Sequence, residues 1–309
     1  MEIRQLRHFI AAVEAGNFRK ASESVHVSHP ALSMSIKKLE HSLGTKLLIK
    51  DRKGIQMTYA GEIFLKSAYS ILRQIDDIQG SLLSTQESPI GNVKLGVTYA
   101  INNALAAPFY KLIVEKLPGI SLQISEGNTT NLQRDYDNKI LDIMFDYDHI
   151  EKMNQRIEHL YIEHLYFVTA YDPQLENSPE IDCKELDNRT ILCSPGTHSM
   201  RVTLENYARD NNLKFNFDND FQSAHASLKI VSEGFASTIA PWDLIHDHVK
   251  TKLISARKII NPPIERRLSI VSPFQETHSP AINAVINAIK LAIKDARDND
   301  KIRGRSFLD

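Results

Sequence analysis

The sequence predicts an α+β, multidomain protein: an N-terminal winged helix-turn-helix, a long linker helix, and a C-terminal α/β body in two lobes. Three observations lead there. Residues 1–60 read as short amphipathic helices followed by a charged hairpin. Residues 58–83 carry an apolar repeat at the 3.5-residue period of helices that pair. From residue 92 onward, strand-like and helix-like stretches alternate, the pattern of α/β units with largely parallel sheets. At 309 residues, two or three domains are expected.

Leu6, Phe9, Ile10 and Val13 recur at helical spacing, and Gly16 stops the run. Residues 18–25 make a second short helix. Ser28 offers an N-cap hydroxyl, and Pro30 fits a first turn, where its missing N–H costs nothing. The third helix runs through Leu32, Ile36, Leu39 and Leu43 to Gly44. Two short helices joined by a tight turn, the second presenting polar residues, form a helix-turn-helix. Residues 45–58 then read as a small β-hairpin, or wing, with Lys50, Arg52 and Lys53 near its tip. In the long helix, Phe64, Ala68, Ile71, Ile75, Ile78 and Leu82 form a seam that calls for a partner helix. Residues 88–91 are a hinge.

Beyond it, strands are expected at 93–97, 120–125, 141–145, 166–170, 191–194, 236–240 and 267–271. Helices are expected at 103–116, 129–139, 223–233 and 280–295, with a further element at 204–211. The domains expected are 1–60, 58–89 and 90–297. The last of these divides into lobe I, about 90–163 and 266–297, and lobe II, about 164–265. Residues 298–309 are polar and read as a flexible tail.

The charges nearly cancel, 37 Lys+Arg against 38 Asp+Glu. The distribution is uneven, though. Residues 1–60 hold ten basic and five acidic side chains, net +5, which leaves −6 for the remainder. That asymmetry suggests a polyanion-binding module on a mildly acidic body. Cys183 and Cys193 read as free buried thiols, and no apolar leader or membrane-length apolar run is seen. A soluble, cytoplasmic protein is expected.

Residues 1–62 closely resemble the winged helix-turn-helix of LysR-type transcriptional regulators. The likeness is carried by Phe18-Arg-Lys-Ala-Ser-Glu-Ser-Val-His-Val-Ser-His-Pro-Ala-Leu-Ser-Met-Ser-Ile-Lys-Lys-Leu-Glu-His-Ser-Leu-Gly44, by Leu47-Leu48, and by Met57-Thr58-Tyr59-Ala60-Gly61. Lys20, Leu48 and Lys50 stand where the family favours Ala, Phe and Arg, and His29 where it often has Gln. The remainder looks like the family's effector domain, two lobes similar to periplasmic binding proteins. The resemblance implies double-stranded promoter DNA, RNA polymerase and a small-molecule effector as partners, assembly as a homodimer or homotetramer, and neither catalytic residues, metal nor cofactor.

A recognition helix enters the major groove with its N-terminal residues toward the bases. That places His29, Pro30, Ser33 and Met34 for base contact. Lys37, Lys38, Lys50, Arg52 and Lys53 are placed for phosphates. The seam Phe64, Ala68, Ile71, Ile75, Ile78 and Leu82 would set two such helices on successive grooves. Ligands of open α/β sheets bind beyond strand C-termini, near free helix amides. Candidate effector contacts are therefore Thr98, Tyr99 and Ala100, then Thr129, then Ser194, Thr197, His198 and Arg201. The resemblance adds Gln222 and Ser223. Hydroxyls, amides and an arginine favour a small anion such as a carboxylate.

Two rival classes fare worse. An enzyme is disfavoured because no Gly-x-Ser-x-Gly, His-Glu-x-x-His, P-loop or Gly-x-Gly-x-x-Gly occurs. His246-Asp-His248 reads as polar helix surface, since alternate helical residues point apart. A transport solute-binding protein would need an export signal and would leave residues 1–60 unexplained.

Overall fold

The computed structural model describes residues 1–51, 54–83, 89–148, 155–193, 199–220, 223–274 and 279–308. It divides into two compact units: residues 1–91 with the turn Asp137–Ile140, and the rest.

In the first unit, α1 (Ile3–Ala15), α2 (Phe18–Ser24) and α3 (His29–Leu43) precede a hairpin of β1 (Leu48–Asp51) and β2 (Gly54–Met57). The long α4 (Tyr59–Leu83) follows. Each of the first three helices starts where a side chain can satisfy free amides: Glu2 and Gln5 form a capping box for α1, Asn17 accepts from Arg19, and Ser28 accepts from Ala31. Leu6, Phe9, Ala12, Ala21, Leu32, Ile36 and Leu39 meet in one core. Burying each of the larger ones contributes about 1.5–3 kcal/mol. The hairpin docks on the end of α1 through Ile55 N–H donating to Gly16 O at 2.9 Å. Gly54, at φ 132°, makes that approach possible, since a Cβ there would lie 2.5 Å from Gly16 O.

The second unit is a mixed α/β body. Its strands are β3 (Gly91–Thr98), β4 (Ile120–Gly127), β5 (Ile143–Tyr147), β6 (Gln155–Ala170), β7 (Glu180–Asp182), β8 (Thr190–Cys193), β9 (Asn216–Asp220), β10 (Thr238–Pro241), β11 (Ile254–Ile260), β12 (Glu265–Pro273) and β13 (Gly304–Ser306). Its helices are α5 (Tyr99–Lys116), α6 (Thr129–Asp137), α7 (Ser199–Asp210), α8 (Ala224–Ser232), α9 (Trp242–Lys250) and α10 (Pro280–Asp298). The strands run in the order β4-β3-β5-β12-β6-β11-β7, with β10 and β13 also on β6; β8 and β9 pair separately.

The expected predominance of parallel pairing is corrected. β3–β5, β7–β11 and β8–β9 are parallel, but β6 is antiparallel to β10, β11, β12 and β13, and β5 to β12. The cause is one 16-residue strand. Residues 155–164 of β6 pair with β12 in lobe I, and residues 165–170 pair with β10 and β11 in lobe II. The sequence pattern announces only residues 166–170 of it. Lobe I has its core among Leu95, Ile101, Phe145, Leu268, Val285 and Ile289. Lobe II has its own around Leu165, Ile191, Leu204 and Ile259.

Two further expectations change. Helix α5 begins at Tyr99, directly after β3, rather than at residue 103. The terminal residues do not fray: Gly304–Ser306 pairs with Tyr161–Glu163, and Ile302 is buried. Trp242 Nε1 donates to Asp300 O at 2.8 Å, and Arg303 stacks on the Trp242 ring at 3.4 Å. An open edge of β6 supplies backbone partners that a polar composition does not reveal. Cys183 and Cys193 are buried and not disulfide-bonded.

Candidate functional site

On the head, α3 stands with its first turn open. His29, Pro30, Met34, Lys37 and Lys38 are exposed and Ser33 is half-buried, while Leu32, Ile36 and Leu39 on the other face hold the core. The period of 3.6 separates the two sets. The His29 ring meets the Phe18 ring edge-on at 6.0 Å, which orients it beside the helix start. Ser35 is occupied, its hydroxyl bonded to His8 Nδ1 at 2.8 Å. Glu40, also on α3, turns inward: Oε1 accepts the amides of Leu47 and Leu48, and Oε2 pairs with Lys46 at 2.6 Å. Burial pushes its carboxyl up, but Lys46 and the two amides outweigh that and hold it below the usual range. Recognition helix and hairpin are thereby locked together. Arg52, Lys53 and the Lys50 side chain lie outside the described residues.

The seam on α4 divides into two parts. Ala68 is fully buried, Phe64 packs on Phe9 at 5.1 Å, and Ile71 also joins the head's own core. Ala68 is therefore spent within the subunit, a correction to its reading as partner-facing, while Phe64 and Ile71 are half-buried and only partly covered by that core. Ile75 is half-buried, while Ile78 and Leu82 are 60% and 81% exposed.

In the body, a cleft of about 120 Å³ opens between the lobes. Allowing 10–15 Å³ per water position, this holds roughly eight to twelve. Its walls include Thr98, Tyr99 and Ala100 at the start of α5, Thr129 at the start of α6, and Ser199 at the start of α7. Thr129 Oγ1 donates to Ser199 Oγ at 2.8 Å across the opening. Thr98 is the N-cap of α5 yet makes no capping bond. Its buried hydroxyl and that of Tyr147 lie near each other, and neither has a hydrogen bond of normal geometry. Apolar walls come from Leu192, Met200, Leu228, Ile239 and Leu244.

Of the other expected contacts, Ser194, Thr197, His198 and Gln222 lie outside the described residues. Ser223 accepts from Ala226 N–H at 3.2 Å and lines a neighbouring groove with Tyr99, His225 and His248. Arg201 does not reach the cleft. It pairs with Glu205 at 2.6 Å and stacks on Phe217 at 3.6 Å, the former an i,i+4 arrangement readable from the sequence.

The arginine in the cleft is Arg266, which the sequence reading missed. It stacks on Tyr147 at 3.9 Å and donates Nε–H to Glu163 Oε1 at 2.8 Å, with a second short bond from Nη2. Asp243 completes the cluster, accepting from the Tyr161 hydroxyl at 3.2 Å. Burial pushes Glu163 up to about 8 and Asp243 up to about 6, with Arg266 only partly offsetting it. Burial also holds the Tyr147 and Tyr161 phenols protonated. His246 is buried rather than on a polar surface, with Nδ1 3.1 Å from Asp243 O. Among the described residues, no three His, Cys, Asp or Glu converge as metal ligands.

Comparison with known proteins matches both units. The family model "Bacterial regulatory helix-turn-helix protein, lysR family" covers residues 3–62, and "LysR substrate binding domain" covers 86–293. The nitrogen assimilation regulatory protein nac of Escherichia coli (strain K12) is 22% identical over 286 residues, 92% of this chain and 93% of its own. A full-length OxyR variant from Pseudomonas aeruginosa superposes with a TM-score of 0.75 at 21% identity, covering 95% of each chain. Full-length CbnR, solved in complex with its target DNA, gives 0.55 at 19% identity, covering 94% of this chain and 99% of that one. These are regulators, not enzymes, and the chain belongs to the LysR family: it is a DNA-binding transcriptional regulator with a substrate-binding effector domain.

Proposed function

We propose that this regulator senses a small, anionic metabolite in the interlobe cleft and thereby changes its binding to promoter DNA. The observation that carries the reading is the cleft floor. There the Thr98 and Tyr147 hydroxyls lack well-formed hydrogen bonds and the Arg266 guanidinium is the cation at hand. Buried polar groups left unmatched at an otherwise apolar pocket are the usual sign of a ligand's polar end. Thr98, Tyr99, Ala100 and Thr129 are the proposed effector contacts. An effector that prefers one lobe closure shifts the population, and with it the DNA-bound form.

On the head, His29, Pro30, Ser33 and Met34 are proposed to read bases. Lys37 and Lys38, with Lys50, Arg52 and Lys53, are proposed to neutralise phosphates. The proposed assembly is a homodimer or homotetramer, acting in the cytoplasm on double-stranded promoter DNA and contacting RNA polymerase. A gel-shift titration against the DNA upstream of its own gene tests the core of the reading. Salt-sensitive binding supports it; no such binding sinks it.

A further inference from the structure

Beneath the cleft, one guanidinium faces more carboxylate than it can neutralise. Arg266 of β12, Glu163 of β6 and Asp243 at the start of α9 are 4%, 2% and 2% exposed. Tyr161 of β6 and Tyr147 of β5 face the same group, and Asp148 beyond β5 adds a further negative charge within electrostatic reach of Glu163. Fully ionised, the buried trio carries a net charge of −1. Glu163 Oε2 and Asp243 Oδ1 have no hydrogen-bond partner. A dry interior does not tolerate that imbalance, and a proton is its ordinary remedy.

We propose that the cleft takes a small carboxylate with an apolar body, and that its arrival draws a solvent proton into the Glu163–Arg266–Asp243 cluster, making effector affinity pH-dependent. The inference rests on reading this cleft as the effector site. With that first proton in place the trio is neutral, and the ligand's carboxylate then adds an unmatched negative charge against the same cation, at separations where Coulomb terms are large in a low-dielectric pocket. A second proton adding to a carboxylate oxygen of Glu163 or Asp243 restores neutrality and frees guanidinium N–H groups for the ligand. No bond to the ligand forms. Leu192, Met200, Leu228 and Ile239 would cover its apolar part. Because Asp243 belongs to lobe II while Tyr147 belongs to lobe I, the same proton joins cleft chemistry to lobe closure.

The test is calorimetry of the full chain with hexanoate and phenylacetate at pH 6, 7 and 8, in buffers of low and high ionisation heat. Phenylacetamide is the neutral comparison. Both acids stay ionised throughout, so any pH effect belongs to the protein. The expected result is carboxylate binding with proton uptake approaching one per ligand. Affinity should fall as pH rises, by up to tenfold per unit. In Glu163→Gln and Asp243→Asn the uptake should shrink. Binding with equal affinity at pH 6 and 8 and no buffer-dependent heat overturns the proton linkage. Tighter binding of the amide, or no binding of either acid at millimolar concentration, overturns the ligand class. Failure of the gel shift described above would overturn the regulator reading instead, a separate outcome.

Discussion

Glu40 accepts the backbone amide of Leu47 at 2.9 Å, joining the recognition helix to the start of the wing. Because its carboxyl sits below the ordinary range, its contribution to stability is complete above the unfolded carboxylate's value and is lost as pH falls through the lower, folded one. Glu40→Ala leaves two buried amides unmatched. It should cost the head roughly 1–3 kcal/mol. Denaturant unfolding of the variant, at pH 7 and again at pH 4, measures both effects.

Glu163 and Asp243 are expected to substitute for one another as counter-ions. Either Glu163→Gln or Asp243→Asn alone leaves Arg266 balanced by one carboxylate, so each should be tolerated. The double variant strands a buried cation and should cost roughly 3–5 kcal/mol, far more than the sum of the singles. Both folded-state values are raised, so the stability these groups confer is present below the unfolded carboxylate range and drains away as pH rises, through about 6 for Asp243 and about 8 for Glu163. Thermal melts across that window should show the loss in the wild type and a flatter profile in each single variant.

The two ends of the α4 seam should behave oppositely. Ile78→Glu with Leu82→Glu leaves the fold intact and abolishes association in sedimentation experiments, because both side chains are exposed. Ala68→Glu instead unfolds the head, since Ala68 is fully buried. Association unaffected by the paired glutamates would refute the partner-facing role of that stretch.

For DNA, Lys37→Ala should weaken binding to all sequences and reduce the salt slope by about 0.9. Ser33→Ala should instead change the preference among sequences, by about 1–3 kcal/mol at one base pair if its contact is to a base edge. Gel shifts at several salt concentrations separate the two. A slope that Lys37→Ala does not alter removes that lysine from the phosphate set.

Gly304 sits at φ 151°, where a Cβ would come within 2.0 Å of Ile162 O. Gly304→Val should therefore peel β13 from β6. Faster exchange of the Phe307 amide, which donates to Leu160 O at 2.9 Å, would report the loss by hydrogen exchange.

The head was legible because its signals are local. Ser28, Pro30, Gly44 and the Leu32–Ile36–Leu39 spacing each act within one or two turns. The mixed pairing of the body was not, because strand direction depends on where β6 crosses, and residues 155–165 alternate too weakly to announce a strand. Glu163 and Arg266 look like surface charges in sequence, and only the crossing buries them together. Thr98 and Thr129 were found as helix starts beyond strand ends. Arg201 misled because a helical Arg with Glu205 one turn on satisfies itself.

The order of strands also has a consequence for synthesis. Lobe II is assembled from one nearly continuous stretch of chain. Lobe I takes β3, β4 and β5 early and then waits for β12, α10 and β13. On the ribosome the head can close from nearest-neighbour contacts, whereas the sensor's first lobe stays open until β12, α10 and β13 emerge. A growing chain would thus grip DNA before it could answer to a signal.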